Sequence, residues 1–188
     1  MIKYLKDLFI FIKQNDPSIK NNFELILMPG VKAIIYYRIS RYFYLKKHYY
    51  IARKILEKCK RKTGIEIHPG ATIGKNLFID HGLGVIIGET SIIKDNVIIY
   101  QGVTIGATGK KVIGRRHPII GNNVFIGSGA KILGNIEIGN NVKIGANAVV
   151  LKDIPSNVTT VGIPSKIIKN KKINKNQKNS CQNKNISI

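Results

Sequence analysis

The sequence predicts a mainly β protein: a parallel β-helix of six-residue repeats, preceded by a small N-terminal α-helical region and followed by a disordered C-terminal tail. Three observations predict it. Ile or Val recurs every sixth residue through most of the stretch from Ile67 to Val150. Gly often comes next, as at Gly74, Gly88, Gly121, Gly127 and Gly145. Upstream of Ile67 the apolar spacing is helical, and beyond Pro164 the chain turns polar, basic and Asn-rich.

The helical region, 1–63, divides at its breakers. Residues 2–15 carry Leu5, Leu8, Phe9 and Ile12 on one stripe and Lys3, Lys6 and Lys13 off it, the pattern of a helix with one buried face. Asp16-Pro17-Ser18 ends it, because the residue before Pro is pushed out of helical space. A short helix over 22–28 closes at Pro29-Gly30. A longer one, from Val31 to about Lys47, sets Ile34, Ile35, Arg38, Ile39 and Tyr42 at helical spacing. Its tyrosines (36, 37, 42 and 44) read as packing and interface residues, since Tyr suits half-buried surfaces. The last helix, 51–62, turns Ile51, Ile55, Leu56 and Cys59 inward and runs into Thr63-Gly64.

From 64 to 165 neither the helical nor the strand period explains a strict six, and a hexapeptide repeat is the signature of a parallel β-helix. Each hexad supplies one extended side, about 20 Å at most, and a turn where Gly relieves the backbone. Three sides close a coil, and each Ile points inward onto its counterpart one coil away. Thirteen hexads make a little over four coils, which Pro155 and Pro164 then end.

The rhythm slips twice. Ile79 to Ile87 spans eight residues, so two extra are accommodated around Asp80-His81. Ile105 to Ile120 spans fifteen, so a loop over 107–119 leaves the wall, carrying Lys110, Lys111, Arg115, Arg116 and His117. An extruded loop on a rigid repeat scaffold is where binding chemistry tends to sit.

Composition excludes several classes. The net charge of +21 invites a nucleic-acid or membrane reading. Yet much of the excess lies in the tail, 166–188, and in a short run from Lys54 to Lys62, and charge runs are usually solvated faces. Neither nucleic acid nor membrane is expected as a partner. No apolar run approaches the length of a membrane span. No signal peptide is visible, and Cys59 and Cys181 match no metal or redox spacing, so a reducing cytoplasm is the expected compartment.

Four histidines remain as candidates for chemistry. His48 lies in a basic, aromatic helix end and reads as inert. His68 occupies a turn beside Pro69 and reads as structural. His81 follows an acid, is flanked by glycine, and sits at a break in the repeat. A histidine near its ordinary pKa takes a proton from a hydroxyl when a carboxylate fixes its orientation. Glu66, fifteen residues earlier, is a little under one coil away and is the expected orienter. Asp80 points the other way on extended backbone and is the expected substrate contact. Catalytic zinc needs three protein ligands, and only His81 and His117 lie at the slips, so no metal is expected.

With these residues assembled, the chain resembles the bacterial serine O-acetyltransferases. The resemblance rests on Ile65-Glu66-Ile67-His68-Pro69-Gly70, Ile79-Asp80-His81-Gly82, Val85-Ile86-Ile87-Gly88-Glu89-Thr90, Tyr100-Gln101-Gly102, Arg116-His117-Pro118 and Gly129-Ala130-Lys131-Ile132-Leu133-Gly134-Asn135. It spans 63–168 and, more loosely, Asp16-Pro17 and 30–41. It implies a left-handed β-helix assembled as a homotrimer, or as a dimer of trimers. It also implies transfer of acetyl from acetyl-CoA to the hydroxyl of L-serine in cysteine biosynthesis.

Carried over by position, His81 is the general base with Glu66 in a dyad. Asp80, Arg116, His117 and Asp16 bind serine. Ala107, Thr108, Ser128 and Ala146 line an acetyl-CoA groove between neighbouring prisms. Glu66 stands where many members have Asp, and Ala107 stands in a usually Gly-Gly-Thr-Gly element, where a backbone N–H suffices for an oxyanion contact. Members often end in Ile, which inserts into cysteine synthase (O-acetylserine sulfhydrylase). The C-terminal Ile188 offers that contact. The alternatives are a sugar- or antibiotic-hydroxyl acetyltransferase on the same scaffold and a non-catalytic partner that presents its C-terminus.

Overall fold

The computed structural model describes residues 2–109 and 113–168. Four helices lead into a parallel β-solenoid. Helix α1 (Ile2–Asn15) buries Leu8 and Ile12 and half-buries Leu5 and Phe9, as the stripe predicts. Helix α2 (Asn22–Leu27) opens on a capping box between Asn21 and Glu24. Helices α3 (Pro29–Leu45) and α4 (Tyr49–Thr63) begin two residues earlier than expected. Pro29 starts α3 because the first helical turn has no use for its missing N–H.

The buried face of α3 differs from the predicted one. Gly30, Val31, Ala33, Ile34, Tyr37 and Ser40 face the core, while Ile39 and Tyr42 are exposed. The reason is the contact below. Tyr37 donates its phenol to the carbonyl of Ala71 at 2.6 Å, Arg38 donates to Ile73 and Gly74, and Arg41 to Pro69 and Gly70. The first coil has no coil beneath it, and α3 satisfies the carbonyls that would otherwise lie open. In α4, Ala52 takes the inward place expected of Ile51, which is exposed.

The first coil comprises β1 (Glu66–Ile67), β2 (Thr72–Ile73) and β3 (Leu77–Ile79), and the second β4 (Ile86–Ile87), β5 (Ile92–Ile93) and β6 (Val97–Ile99). The third holds β7 (Thr104–Gly106), β8 (Ile119–Ile120) and β9 (Phe125–Ile126), and the fourth β10 (Lys131–Leu133), β11 (Glu137–Ile138) and β12 (Lys143–Ile144). A fifth coil follows with β13 (Val149–Val150), a single bridge from Ile138 to Ile154, and β14 (Thr159–Val161). The strands stack into three parallel walls. Wall A is β1-β4-β7-β10-β13, wall B is β2-β5-β8-β11, and wall C is β3-β6-β9-β12-β14.

Register turns the repeat into a core. Ile67 pairs with Ile87, Ile87 with Ile105, and Ile105 with Ile132, and all four are at most 1% exposed. Burying each such side chain is worth about 2 kcal/mol relative to leaving it in water. Both slips are absorbed at corners. Ile79 pairs with Ile99 across the first, and Ile93 with Ile120 across the second.

The expected count of a little over four coils becomes five. Val150 to Ile154 is only four residues, so the hexad phase is lost while the coil itself continues. The solenoid has five coils, and β15 (Lys166–Ile168) folds back antiparallel on β14. Residues 166–168, expected in the tail, therefore cover the last open strand. The rest of the expected tail, 169–188 with Ile188, lies outside the described residues.

Candidate active site

Three corners join the walls, and the site residues occupy two of them. The C–A corner of the first coil is Asp80–Gly84. Its backbone is tied to both neighbours, since Gly84 N–H donates to Gly64 and Gly102 N–H to Leu83. Gly82 and Gly84 hold φ of +80° and +74°, and His81 itself holds +57°. A side chain held in left-handed space at a turn carries backbone strain, and such strain concentrates at functional positions. The imidazole is exposed.

Around that corner lie the acids. Asp80 N–H donates to Ile99 in the rung above. Burial raises the Tyr100 phenol, and the charges of Asp80 and Asp16 push it further. Asp16, just past α1, accepts from Ser18 N–H and Oγ at 2.9 and 2.6 Å. Ser128 and Ala146 follow on the same edge just past β9 and β12, two and three coils beyond the His81 corner. Glu66 begins wall A, two residues past Gly64. Its carboxylate is held by Lys60 Nζ at 2.7 Å, and among the described residues no hydrogen bond or ion pair joins it to His81.

The A–B corner holds the second group. Gly88-Glu89-Thr90 forms the turn between β4 and β5, and the returning loop docks on it. Thr90 N–H donates to His117 Nδ1 at 3.1 Å, with the Thr90 hydroxyl at 2.8 Å. A lone pair on Nδ1 leaves the ring proton of the neutral form on Nε2. Burial lowers the His117 pKa and the Arg116 charge lowers it further, so the imidazole is neutral at pH 7. His117 is 6% exposed and its ring packs on Gly88, where an added methyl would overlap Cδ2 and Nε2. Arg116 N–H donates to Thr90 Oγ1, and its Nη2 donates to Glu89 Oε2 at 3.2 Å. Arg115 pins the strand side through the His117 carbonyl and Glu137. Ala107 and Thr108 leave this corner one coil higher.

Sequence reasoning missed Glu89, Thr90, Tyr44 and the setting of His68. Tyr44 donates its hydroxyl to Glu89 Oε1 at 3.1 Å, and His68 stacks edge-on against Tyr44. Burial alone would raise the Glu89 carboxyl, but Tyr44, His68 and Arg116 outweigh it and hold it below the usual range. Charge held the clue. With 31 bases against 10 acids, an acid in a turn facing a basic loop is a natural counter-ion.

The candidate residues thus fall into two main groups. His81, Asp80, Ser128 and Ala146 lie on the C–A edge, Arg116, His117, Ala107 and Thr108 on the A–B edge, and Asp16 follows α1 in the helical region. Wall A lies between the two edges, a separation on the order of 15 Å for an extended side of this length.

A parallel β-solenoid of hexads with an imidazole at a strained corner and an extruded basic loop defines a hexapeptide-repeat transferase. The sequence profile of the bacterial transferase hexapeptide family (six repeats) matches residues 117–152. Two relatives narrow this. The serine acetyltransferase of Staphylococcus aureus is 52% identical over 90% of this chain and 79% of its own length. That of Synechococcus elongatus is 49% identical over 89% of this chain and 69% of its own. The chain belongs to the serine acetyltransferase family. A solved structure of the Brucella abortus serine acetyltransferase with coenzyme A superposes with a TM-score of 0.86 at 39% identity, covering 88% of this chain and 66% of that one.

Proposed function

We infer that this protein transfers the acetyl group of acetyl-CoA to the hydroxyl of L-serine, giving O-acetyl-L-serine and CoA, with no metal. The observation that carries the reading is His81, held in left-handed backbone at a corner two residues longer than the repeat, in a chain half-identical to serine acetyltransferases. In this reading His81 takes the serine hydroxyl proton and the oxygen attacks the thioester carbonyl. The Ala107 N–H supports the oxyanion, and the proton returns from His81 to the departing CoA sulfur. Arg116 and the Nε2–H of His117 take the substrate carboxylate, while Asp80 and Asp16 take its ammonium. Glu66 joins His81 by exchanging its ion pair with Lys60. Ser128, Ala146 and Thr108 flank the acetyl-CoA groove. The test is thiol release from acetyl-CoA with a panel of acceptors: L-serine should lead, and preference for a sugar or antibiotic hydroxyl would overturn the reading.

In this reading the two groups are half-sites, which meet when the C–A corner of one copy faces the A–B corner of the next. A closed ring of three copies makes three equivalent sites. Refolding a mixture of His81→Asn and Arg116→Ala chains should then restore about a quarter of the sites, because each variant supplies what the other lacks. No recovery would argue that each chain works alone. Cysteine synthase is the proposed partner of the C-terminal Ile188, so deleting that residue should abolish capture and leave acetylation intact. The buried free thiol of Cys59 suits the reducing setting of the cytoplasm.

A further inference from the structure

We propose that Tyr44 is a positioning residue for the substrate carboxylate, acting on Arg116 through Glu89; this rests on the reading that Arg116 takes that carboxylate. The two oxygens of Glu89 are divided between two donors. Tyr44 Oη holds Oε1 at 3.1 Å and Arg116 Nη2 holds Oε2 at 3.2 Å. The first comes from the helical region and the second from the extruded loop, so one carboxylate joins two elements that share no strand.

Tyr44 is itself fixed. It lies one helical turn beyond Arg41, whose guanidinium is spent on the Pro69 and Gly70 carbonyls of the first coil. Its ring is caught edge-on between Tyr49 and His68, with centroids 5.3 and 5.8 Å away. An oxygen on a clamped ring gives Glu89 one orientation.

Arg116 needs that orientation. Its side chain is half exposed, and a long exposed cation explores many rotamers. Spending one terminal nitrogen on an oriented Glu89 leaves the other N–H groups of a planar fork pointing one way. Such a fork binds a carboxylate with less freedom left to lose. The same contacts keep Glu89 ionised, as the acid must be to hold both donors.

A plain staple between helix and solenoid would act otherwise: it would lower stability and leave substrate preference alone. The experiment is steady-state kinetics on Tyr44→Phe, Glu89→Gln and the double variant, with thermal melts alongside. Tyr44→Phe removes one oxygen and keeps both ring stacks. Its KM for L-serine should rise roughly three- to ten-fold, while kcat and the KM for acetyl-CoA stay within about two-fold. The double variant should be no worse for serine than Glu89→Gln alone, because both act along one line. An unchanged serine KM, an equal rise in both KM values, or additive effects would overturn the proposal. Arg116→Ala separates it from the reading beneath. If that variant leaves the serine KM unchanged, the carboxylate assignment falls; if it raises the KM while Tyr44→Phe does not, only the role of Tyr44 falls.

Discussion

The B–C corner and the C–A corner solve one backbone problem with different residues. At the B–C corner Asn76, Asn96, Asn123, Asn141 and Asn157 all hold positive φ, between +55° and +65°. Their amides form a ladder up the solenoid, with links of 2.9, 3.1, 3.1 and 2.9 Å. Asn tolerates left-handed space because its short polar side chain bonds locally. At the C–A corner of the first coil the same conformation is held by His81 at +57°, outside the ladder and exposed. Where a corner only has to turn, the fold uses Asn. The imidazole costs more in that conformation, and its placement there argues for chemistry.

That comparison can be broken at its strongest point with His81→Asn, which keeps a residue suited to left-handed backbone and removes the base. Turnover should fall at least about a hundredfold with the melting temperature unchanged. A fall in both would make His81 part of the scaffold.

At the A–B corner the corresponding break is Gly88→Ala. The methyl displaces the His117 ring, and kcat/KM for L-serine should drop roughly ten- to a hundredfold, the scale of an ångström-sized misplacement. Equal loss toward acetyl-CoA would instead indicate a general collapse of the corner.

Asn123→Ala sharpens the other side. It removes both ladder bonds of that residue and places a β-carbon in left-handed space, for about 2 kcal/mol of lost stability. Urea unfolding should show that loss while kcat stays put; a loss of activity without a loss of stability would refute the division of labour.

The smallest effect is electrostatic. Burial holds the His68 and His117 pKa values below the ordinary 6.5, so on acidification the unfolded chain binds protons that the folded chain refuses. Stability present above pH 6.5 is then lost as pH falls through the folded values. Glu89, held below its ordinary 4.5, continues the loss into more acid solution. Melting temperatures should decline below pH 6.5, and His68→Gln should flatten the first part of that slope. An unchanged slope would remove His68 from the account.

Particular residues show what could be read from the chain. The columns through Ile87, Ile105 and Ile132 were legible because stacking demands one apolar residue at one phase in every coil. The fifth coil was not, because Val150 to Ile154 drops two residues and only the bridge to Ile138 reveals that the wall continues. On α3, Tyr42 and Tyr37 carry equal apolar weight in sequence. The carbonyl of Ala71 selects Tyr37.

By itself the sequence determined the helical entry, the hexad solenoid, its two slips and the residues His81, Arg116 and His117 that stand at them. All of these are local: a period, a breaker, or a departure from the period. Only the tertiary structure decided which corner each slip occupies, that Glu89 is shared by Tyr44 and Arg116, and that Glu66 is engaged by Lys60. Those facts depend on the register between coils and on how α3 and α4 dock beneath the first one. Register sums every insertion before it, so no single stretch of sequence carries it.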